Sequence, residues 1–261
     1  MTAVPAATPP VPAQVPAAGA SASPWVRELT PARVFLGRAG TSYPTATLLA
    51  LRADHAAARD AVSAPLKLTG ADLGLAAPPI TAHSRAESHA QYLRRPDLGR
   101  RLTEESRETI AKDCLHGADV QIVIGDGLSA TAVHTQVPRL LPHLIAGCEH
   151  HGWRTGPPIL VHRCRVGVVN EIGDVLAPGV VLLLIGERPG LATAESLSAY
   201  FGYRPASGHT DADRNLISNI HDDGVSTAAA VERILAFIST LLSAQRSGVE
   251  IKEPPLRALE A

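Results

Sequence analysis

The sequence predicts an α/β fold with a doubly wound, mostly parallel sheet that helices cover on both faces. Residues 121–124 and 180–185 are two short runs rich in Val, Ile and Leu. Strands of this composition lie inside a sheet that is buried on both sides. A third strand is predicted at residues 159–168, and helical patterns separate the three runs. This alternation is typical of βαβ units, so we expect a Rossmann-like domain behind a small N-terminal helical domain.

The predicted helices each have a signal of their own. Thr103 is expected to cap a helix that carries two glutamates in its first turn. Apolar residues spaced by one helical turn predict a helix that ends at Gly152 and a last helix at Thr227–Ala244. We also expect a short helix at residues 171–176 and a helix that begins near Glu195.

Composition divides the chain into four parts. Residues 1–24 are nearly all Ala, Pro, Val, Ser and Gly, which predicts a flexible tail. Residues 25–101 are predicted to form the small helical domain, and residues 102–247 the α/β domain. Residues 248–261 are expected to form a C-terminal tail.

Charge and cysteine usage exclude several classes of function. The formal net charge is −1 with acids and bases well mixed, so no basic footprint for nucleic acid or an anionic membrane is expected. The three cysteines form no C-x-x-C pair, which argues against a zinc site or a disulfide framework. No apolar run reaches the roughly 20 residues of a membrane span, and the N-terminus has no signal-peptide pattern. We expect a soluble, cytoplasmic protein with no metal ligands of its own.

Two acidic loops bracketed by glycines follow the first and third predicted strands, at residues 125–127 and 186–190. Ligands of open α/β sheets bind beyond the carboxyl ends of the strands, so these loops are the expected functional region. The first loop also fits the dinucleotide pattern G-x-G-x-x-A, and a nucleotide-dependent oxidoreductase is therefore an alternative. Against it, the next strand ends in a basic segment, residues 162–165, and Asp126 would repel a pyrophosphate.

Six short motifs occur in a fixed order between residues 30 and 247, and together they are more specific than any one alone. They are Gly37-Arg38-Ala39-Gly40, Arg95-Pro96-Asp97-Leu98-Gly99-Arg100-Arg101-Leu102, Val123-Ile124-Gly125-Asp126-Gly127-Leu128-Ser129, Gly186-Glu187-Arg188-Pro189-Gly190-Leu191, Glu195-Ser196-Leu197-Ser198 and Asp213-Arg214-Asn215-Leu216-Ile217-Ser218-Asn219-Ile220-His221. This set resembles the small (light) subunit of ethanolamine ammonia-lyase.

The resemblance implies a subunit of a hetero-oligomeric lyase that converts ethanolamine to acetaldehyde and ammonia. In that family the barrel of the large subunit binds ethanolamine and performs the chemistry. Adenosylcobalamin lies between the barrel and the α/β domain of the small subunit, with its own dimethylbenzimidazole on cobalt. We therefore expect no catalytic residue on this chain, while a non-catalytic assembly subunit that never contacts the cofactor remains an alternative.

Carried over residue by residue, the resemblance implies cobalamin contacts at Val166, Glu187 and Leu216, flanked by Arg165 and Arg188. Leu216 departs from the family, in which a cysteine is expected. An apolar contact beside an acceptor carboxylate suits a corrin, a broad disc edged with amides. An ion pair with Arg188 or another arginine is the alternative role for Glu187.

The segment Asn219-Ile220-His221-Asp222-Asp223-Gly224 nearly matches the D-x-H-x-x-G pattern with which some cobalamin enzymes give a histidine to cobalt. A metal-bound imidazole usually needs a carboxylate on its other nitrogen, and Asn219 supplies only an amide. We therefore expect His221 to be structural. The N-terminal tail also lacks the amphipathic helix of relatives found in bacterial microcompartments, so encapsulation is an open alternative to a free cytoplasmic enzyme.

Overall fold

The computed structural model describes residues 33–254 together with Val26. The tail predicted at residues 1–24 lies outside the described residues, as does the C-terminal part of the tail predicted at 248–261. The chain falls into two compact units that divide between Leu49 and Ala50. In the first unit, Ala39 pairs with Ser42 in a tight turn, and the guanidinium of Arg38 lies 5.5 Å from the centre of the Tyr43 ring.

The α/β class is confirmed by a single six-stranded sheet in the second unit. The strands are β1 (Ile80–His83), β2 (Val120–Gly125), β3 (Ile159–His162), β4 (Val180–Gly186), β5 (Leu197–Tyr203) and β6 (Asn215–Ile220). Their order is β1-β3-β2-β4-β5-β6. The first four strands in this order are parallel to one another. Strand β5 runs antiparallel to both of its neighbours, β4 and β6. The sheet is therefore mixed, and the doubly wound, Rossmann-like topology is not confirmed.

Six α-helices accompany the sheet in the described residues. They are α1 (Thr45–Ser63), α2 (His89–Arg94), α3 (Glu104–Asp113), α4 (Ala130–His150), α5 (Val168–Leu176) and α6 (Thr227–Ala244). Thr103 caps α3 as predicted, because its hydroxyl accepts the N–H of Ser106 at 3.3 Å. The last helix has the bounds that its apolar spacing predicts.

Two apolar layers pack on opposite faces of the sheet. Alternate residues of the central strands point to opposite faces, so Leu182 faces α4 and α6 while Leu183 faces α3 and α5. We call the face that packs against α4 and α6 the first face, and the face that packs against α3 and α5 the second face. The second face is less well covered over β6, where Leu216 is 44% exposed and Ser218 is also exposed. A shallow surface therefore remains at this end of the sheet.

Three sequence predictions are wrong or incomplete. The helix predicted near Glu195 is wrong, because this segment forms β5, whose aromatic side chains favour a strand and whose backbone pairs with β4. The strand predicted at 159–168 ends at His162, and the helix predicted at 171–176 begins earlier, at Val168. Strands β1 and β6 were not predicted. Because β1 lies within residues 25–101, part of the expected helical segment belongs to the sheet, and the domain limits stay a prediction.

One helix in the described part of the chain, α6, is long and apolar enough to cross a membrane by length and composition. This is weak evidence for a span, because its buried side chains Ile234, Ile238 and Leu241 belong to the core on the first face of the sheet.

Candidate functional site

The two glycine-bracketed loops lie at the carboxyl ends of the neighbouring strands β2 and β4 and contact each other through their backbones. The N–H of Leu128 donates to the carbonyl of Gly186 at 3.1 Å. A Cβ atom on Gly127 would lie 2.2 Å from that carbonyl oxygen, and one on Gly186 would lie 2.0 Å from the carbonyl oxygen of Ser129. Only glycine permits this approach.

Asp126 shapes the turn after β3. Its carboxylate accepts the N–H groups of Arg163 at 2.5 Å and Cys164 at 2.8 Å. Arg163 has a φ of 54°, a left-handed conformation that a non-glycine residue adopts at a cost of roughly 1 to 2 kcal/mol. Burial raises the pKa of Asp126 to about 6, against the effect of these backbone donors. Asp126 therefore has a structural role, as it fixes the turn that leads to Arg165 and Val166.

The structure brings all five sequence-predicted site residues together around one pocket of about 370 Å³ at this end of the sheet. These are Arg165, Val166, Glu187, Arg188 and Leu216. Its other lining residues are Tyr92, Gly127, Leu128, Ile185, Gly186, Ser198, Tyr200 and Ser218. Sequence reasoning missed Tyr92, which lies on the unpredicted helix α2, and Ser198 and Tyr200, which lie on β5.

Glu187 is held by three hydrogen-bond donors. The hydroxyls of Ser196 and Ser198 donate to its two oxygens at 2.6 Å each, and the N–H of Asn219 donates at 2.9 Å. Within the described residues, no arginine or lysine nitrogen lies within 4 Å of this carboxylate, so the alternative ion pair with Arg188 is not formed. A carboxylate offers about four lone-pair positions, so one remains for a ligand.

Arg165 and Tyr92 form one wall of the pocket. The guanidinium lies 4.2 Å from the centre of the ring, and one of its amino groups donates to the carbonyl of Tyr92 at 3.3 Å. The hydroxyl of Tyr92 lies within hydrogen-bonding distance of the carbonyls of Gly127 and Cys164. Tyr92 thereby ties the loop after β2 to the turn after β3. Burial is the main cause that raises its pKa far above the ordinary value, so the phenol remains a neutral donor.

Val166 and Leu216 supply apolar surface. Val166 is half-buried and packs against the core on the second face, whereas Leu216 is largely exposed. Where the family pattern expects a thiol, the side chain of Leu216 offers only van der Waals contact.

His221 is not among the residues that line this pocket. It is 7% exposed, and its Nε2 atom lies 2.8 Å from the side-chain oxygen of Asn219. In the described part of the chain, no group of three or more His, Cys, Asp or Glu side chains could hold a metal ion.

Comparison with known proteins identifies the family. The family model of the ethanolamine ammonia-lyase light chain (EutC) matches residues 21–252. The chain belongs to this family. A protein of Xanthomonas campestris pv. campestris named ethanolamine ammonia-lyase small subunit is 43% identical over 242 residues, which are 90% of this chain and 88% of the relative. A protein with the same name from Fusobacterium nucleatum is 44% identical, and the match covers 85% of this chain and 75% of the relative. Another from Pseudomonas syringae pv. tomato is 43% identical, with 93% of this chain and 88% of the relative covered.

Membership in the light-chain family makes this protein a subunit of ethanolamine ammonia-lyase, a carbon–nitrogen lyase. A small subunit implies a larger partner subunit. The family is that of a lyase and not of an oxidoreductase, which removes the main support for the dinucleotide interpretation of the Gly125 loop.

Proposed function

We propose that the pocket between the loops after β3 and β4 holds part of adenosylcobalamin at the interface with the large subunit, with the benzimidazole of the cofactor still on cobalt. The observation that supports this most is the convergence of Val166, Glu187 and Leu216 on one pocket. These residues come from three separate segments of the chain, and the family resemblance implies a cobalamin contact at each of them.

The size of the pocket fits a shared site. A volume of about 370 Å³ is at the lower end of the range for pockets that enclose a drug-sized ligand. A corrinoid is several times larger, so only one part of it fits against this surface. The remaining surface of the cofactor then needs the larger subunit, which agrees with a cofactor held between two chains.

The chemistry of the lining residues also fits a corrinoid. The fourth lone-pair position of Glu187 accepts an N–H from a peripheral amide, and Arg188 donates to an amide oxygen. Val166 and Leu216 contact the apolar part of the disc. When bound, the cofactor supplies the radical that the conversion of ethanolamine to acetaldehyde and ammonia requires. The residues of this chain hold and orient it, and they take no part in the bond changes.

A reconstitution experiment tests this proposal. We expect the chain alone to produce no acetaldehyde and to retain little cobalamin on gel filtration, because half of the site belongs to the partner. Mixing with the large subunit should restore both turnover and the absorbance of bound cobalamin. Steady acetaldehyde production by the chain alone, at the rate of the complex, would contradict the proposal. Labelling of only the large subunit by a photoreactive cobalamin would favour the role of a mere assembly subunit.

The expected location of the assembled enzyme is the cytoplasm, either free or inside a microcompartment. Fractionation of cells that produce both subunits, followed by electron microscopy of the particulate fraction, distinguishes the two cases.

A further inference from the structure

A second, basic hollow adjoins the pocket just described. Its volume is about 440 Å³, and it shares Arg165, Val166, Tyr200 and Leu216 with the pocket. Its other lining residues include Arg100, Gly167 and Arg214. We call it the arginine hollow, after Arg100, Arg165 and Arg214.

The positive charge of the arginine hollow exceeds its negative charge. Within the described residues, neither Arg100 nor Arg165 has a carboxylate oxygen within 4 Å. Arg214 is paired with Asp211, the acidic residue of the lining. Because the net charge of the whole chain is only −1, three guanidiniums around one hollow are a local concentration of cations.

Two buried donors in this cluster have no acceptor. The Nε–H groups of Arg165 and Arg214 are both inaccessible to solvent and both without a hydrogen-bond partner. The side chain of Arg214 is only 6% exposed, and its two terminal nitrogens are fixed by Asp211 and by the side-chain oxygen of Asn170. A buried charged donor without an acceptor is costly, so the described residues compensate the positive charge of these two guanidiniums only in part.

The backbone adds further positive potential. Helix α5 begins after Gly167, which provides no side-chain cap. The positive end of the helix dipole favours an anion at that position. A Cβ atom on Gly167 would lie 2.9 Å from Cγ of Arg100, so glycine lets this arginine lie directly against the start of the helix.

We propose that the arginine hollow binds a phosphate group. The favoured source of this phosphate group is the phosphodiester in the nucleotide tail of cobalamin. This choice of source rests on the proposed function. That source is favoured because the hollow and the cobalamin pocket share four lining residues. The other source with the same chemistry is free inorganic phosphate.

Three corrinoid probes separate the phosphate from the rest of the cofactor. Cobalamin carries the complete tail, cobinamide phosphate carries the phosphate without the base, and cobinamide carries neither. Their affinities are measured on the assembled enzyme by equilibrium dialysis, and binding of inorganic phosphate is measured by phosphorus-31 NMR line broadening. The main variant is Arg100→Gln, since Arg100 is exposed and its loss breaks no ion pair of the described residues. Arg214→Lys is the second variant, and Arg246→Gln, which loses a surface pair with Glu250, is the control.

If the tail is the source, Arg100→Gln weakens the binding of cobalamin and cobinamide phosphate about tenfold and leaves cobinamide unchanged. If free phosphate is the source, the variant weakens phosphate binding and leaves all three corrinoids unchanged. Unchanged binding of every phosphate-bearing probe in both arginine variants, or an equal loss for cobinamide, overturns the inference. Failure of all three corrinoids to bind the unmutated complex would instead overturn the proposed function, while inorganic phosphate still tests the hollow.

Discussion

The hydroxyl of Ser198 donates a hydrogen bond of 2.6 Å to the carboxylate of Glu187 and thereby joins β5 to the loop after β4. The hydroxyl of Ser196 binds the other oxygen at the same distance, and the N–H of Asn219 adds a third donor from β6. Hydrogen bonds to a charged acceptor are the stronger kind, so these three fix the orientation of the Glu187 side chain. The site is thus arranged before a ligand binds, which lowers the entropic cost of binding.

Replacement of Glu187 by alanine should weaken cobalamin binding in the assembled enzyme by roughly tenfold to a hundredfold, since a charged hydrogen-bond partner contributes about 1.5 to 3 kcal/mol. The affinity is measured by equilibrium dialysis, and circular dichroism checks that the fold is intact. Glu232→Ala, which removes an exposed glutamate of α6, is the matched control. Unchanged affinity in Glu187→Ala would limit Glu187 to a structural role between β4, β5 and β6.

The central strands could be predicted because they are buried on both faces. Such strands need apolar residues at every position, and the runs in β2 and β4 have few exceptions. Strands β5 and β6 differ, because one of their faces is partly open and carries Ser198, Tyr200 and Leu216. Because polar and apolar residues are mixed in β5 and β6, their sequences do not show the continuous apolar run of a buried strand. Glu195 was instead interpreted as the start of a helix. The aromatic residues of β5 were the signal that could have corrected it.

The site could be predicted only as far as its motifs reached. Glu187 is the first residue after β4, whereas Val166 lies four residues after the end of β3, and both lie in the part of the chain that the family resemblance covers. Tyr92 was missed because it comes from the short helix α2, and only the folded chain brings it to Gly127. The burial of Arg214 depends on tertiary packing as well, which no local pattern encodes.

Gly127→Ala should destabilise the protein more than Gly117→Ala. Both glycines have a positive φ, 57° and 63°, but a Cβ on Gly117 would meet nothing within 4 Å, whereas one on Gly127 would clash with Gly186. The backbone strain alone costs about 1 to 2 kcal/mol, and overpacking adds about 1 to 3 kcal/mol at Gly127. Urea unfolding of the two variants measures the difference. Equal losses of stability in the two variants would show that the loop after β2 can move away from the loop after β4 without a cost in free energy.

The stability of the protein should depend on the protonation of Asp126. Its pKa is about 6 in the folded chain and near its ordinary value of 3.8 in the unfolded chain. Between these values the folded state binds more protons, so the contribution of Asp126 to stability falls as pH rises, by roughly 3 kcal/mol in total. Asp126→Asn removes this contribution while the other titrating groups remain.

The measurement is the free energy of unfolding of the unmutated chain minus that of Asp126→Asn, from urea titrations at pH 4, 5, 6 and 7. The difference should decline by roughly 2.4 kcal/mol between pH 4 and pH 7, with most of the change below pH 6. Parallel pH curves for the two proteins would mean that Asp126 has the same pKa in the folded and unfolded states. A rising difference would mean that the backbone donors outweigh the cost of burial.

The last prediction concerns the lower axial ligand of cobalt. His221 lies outside the pocket lining, is 7% exposed, and has its Nε2 atom 2.8 Å from the neutral side-chain amide of Asn219. This arrangement lacks the carboxylate that usually supports a metal-bound imidazole, so the axial nitrogen should come from the benzimidazole of the cofactor. Electron paramagnetic resonance of cob(II)alamin in the assembled enzyme reports the ligand directly. Labelling of histidine with nitrogen-15 should leave the axial superhyperfine triplet unchanged, as should His221→Gln in unlabelled enzyme. A doublet on labelling would show that a protein histidine binds cobalt, and the base-on arrangement would be wrong.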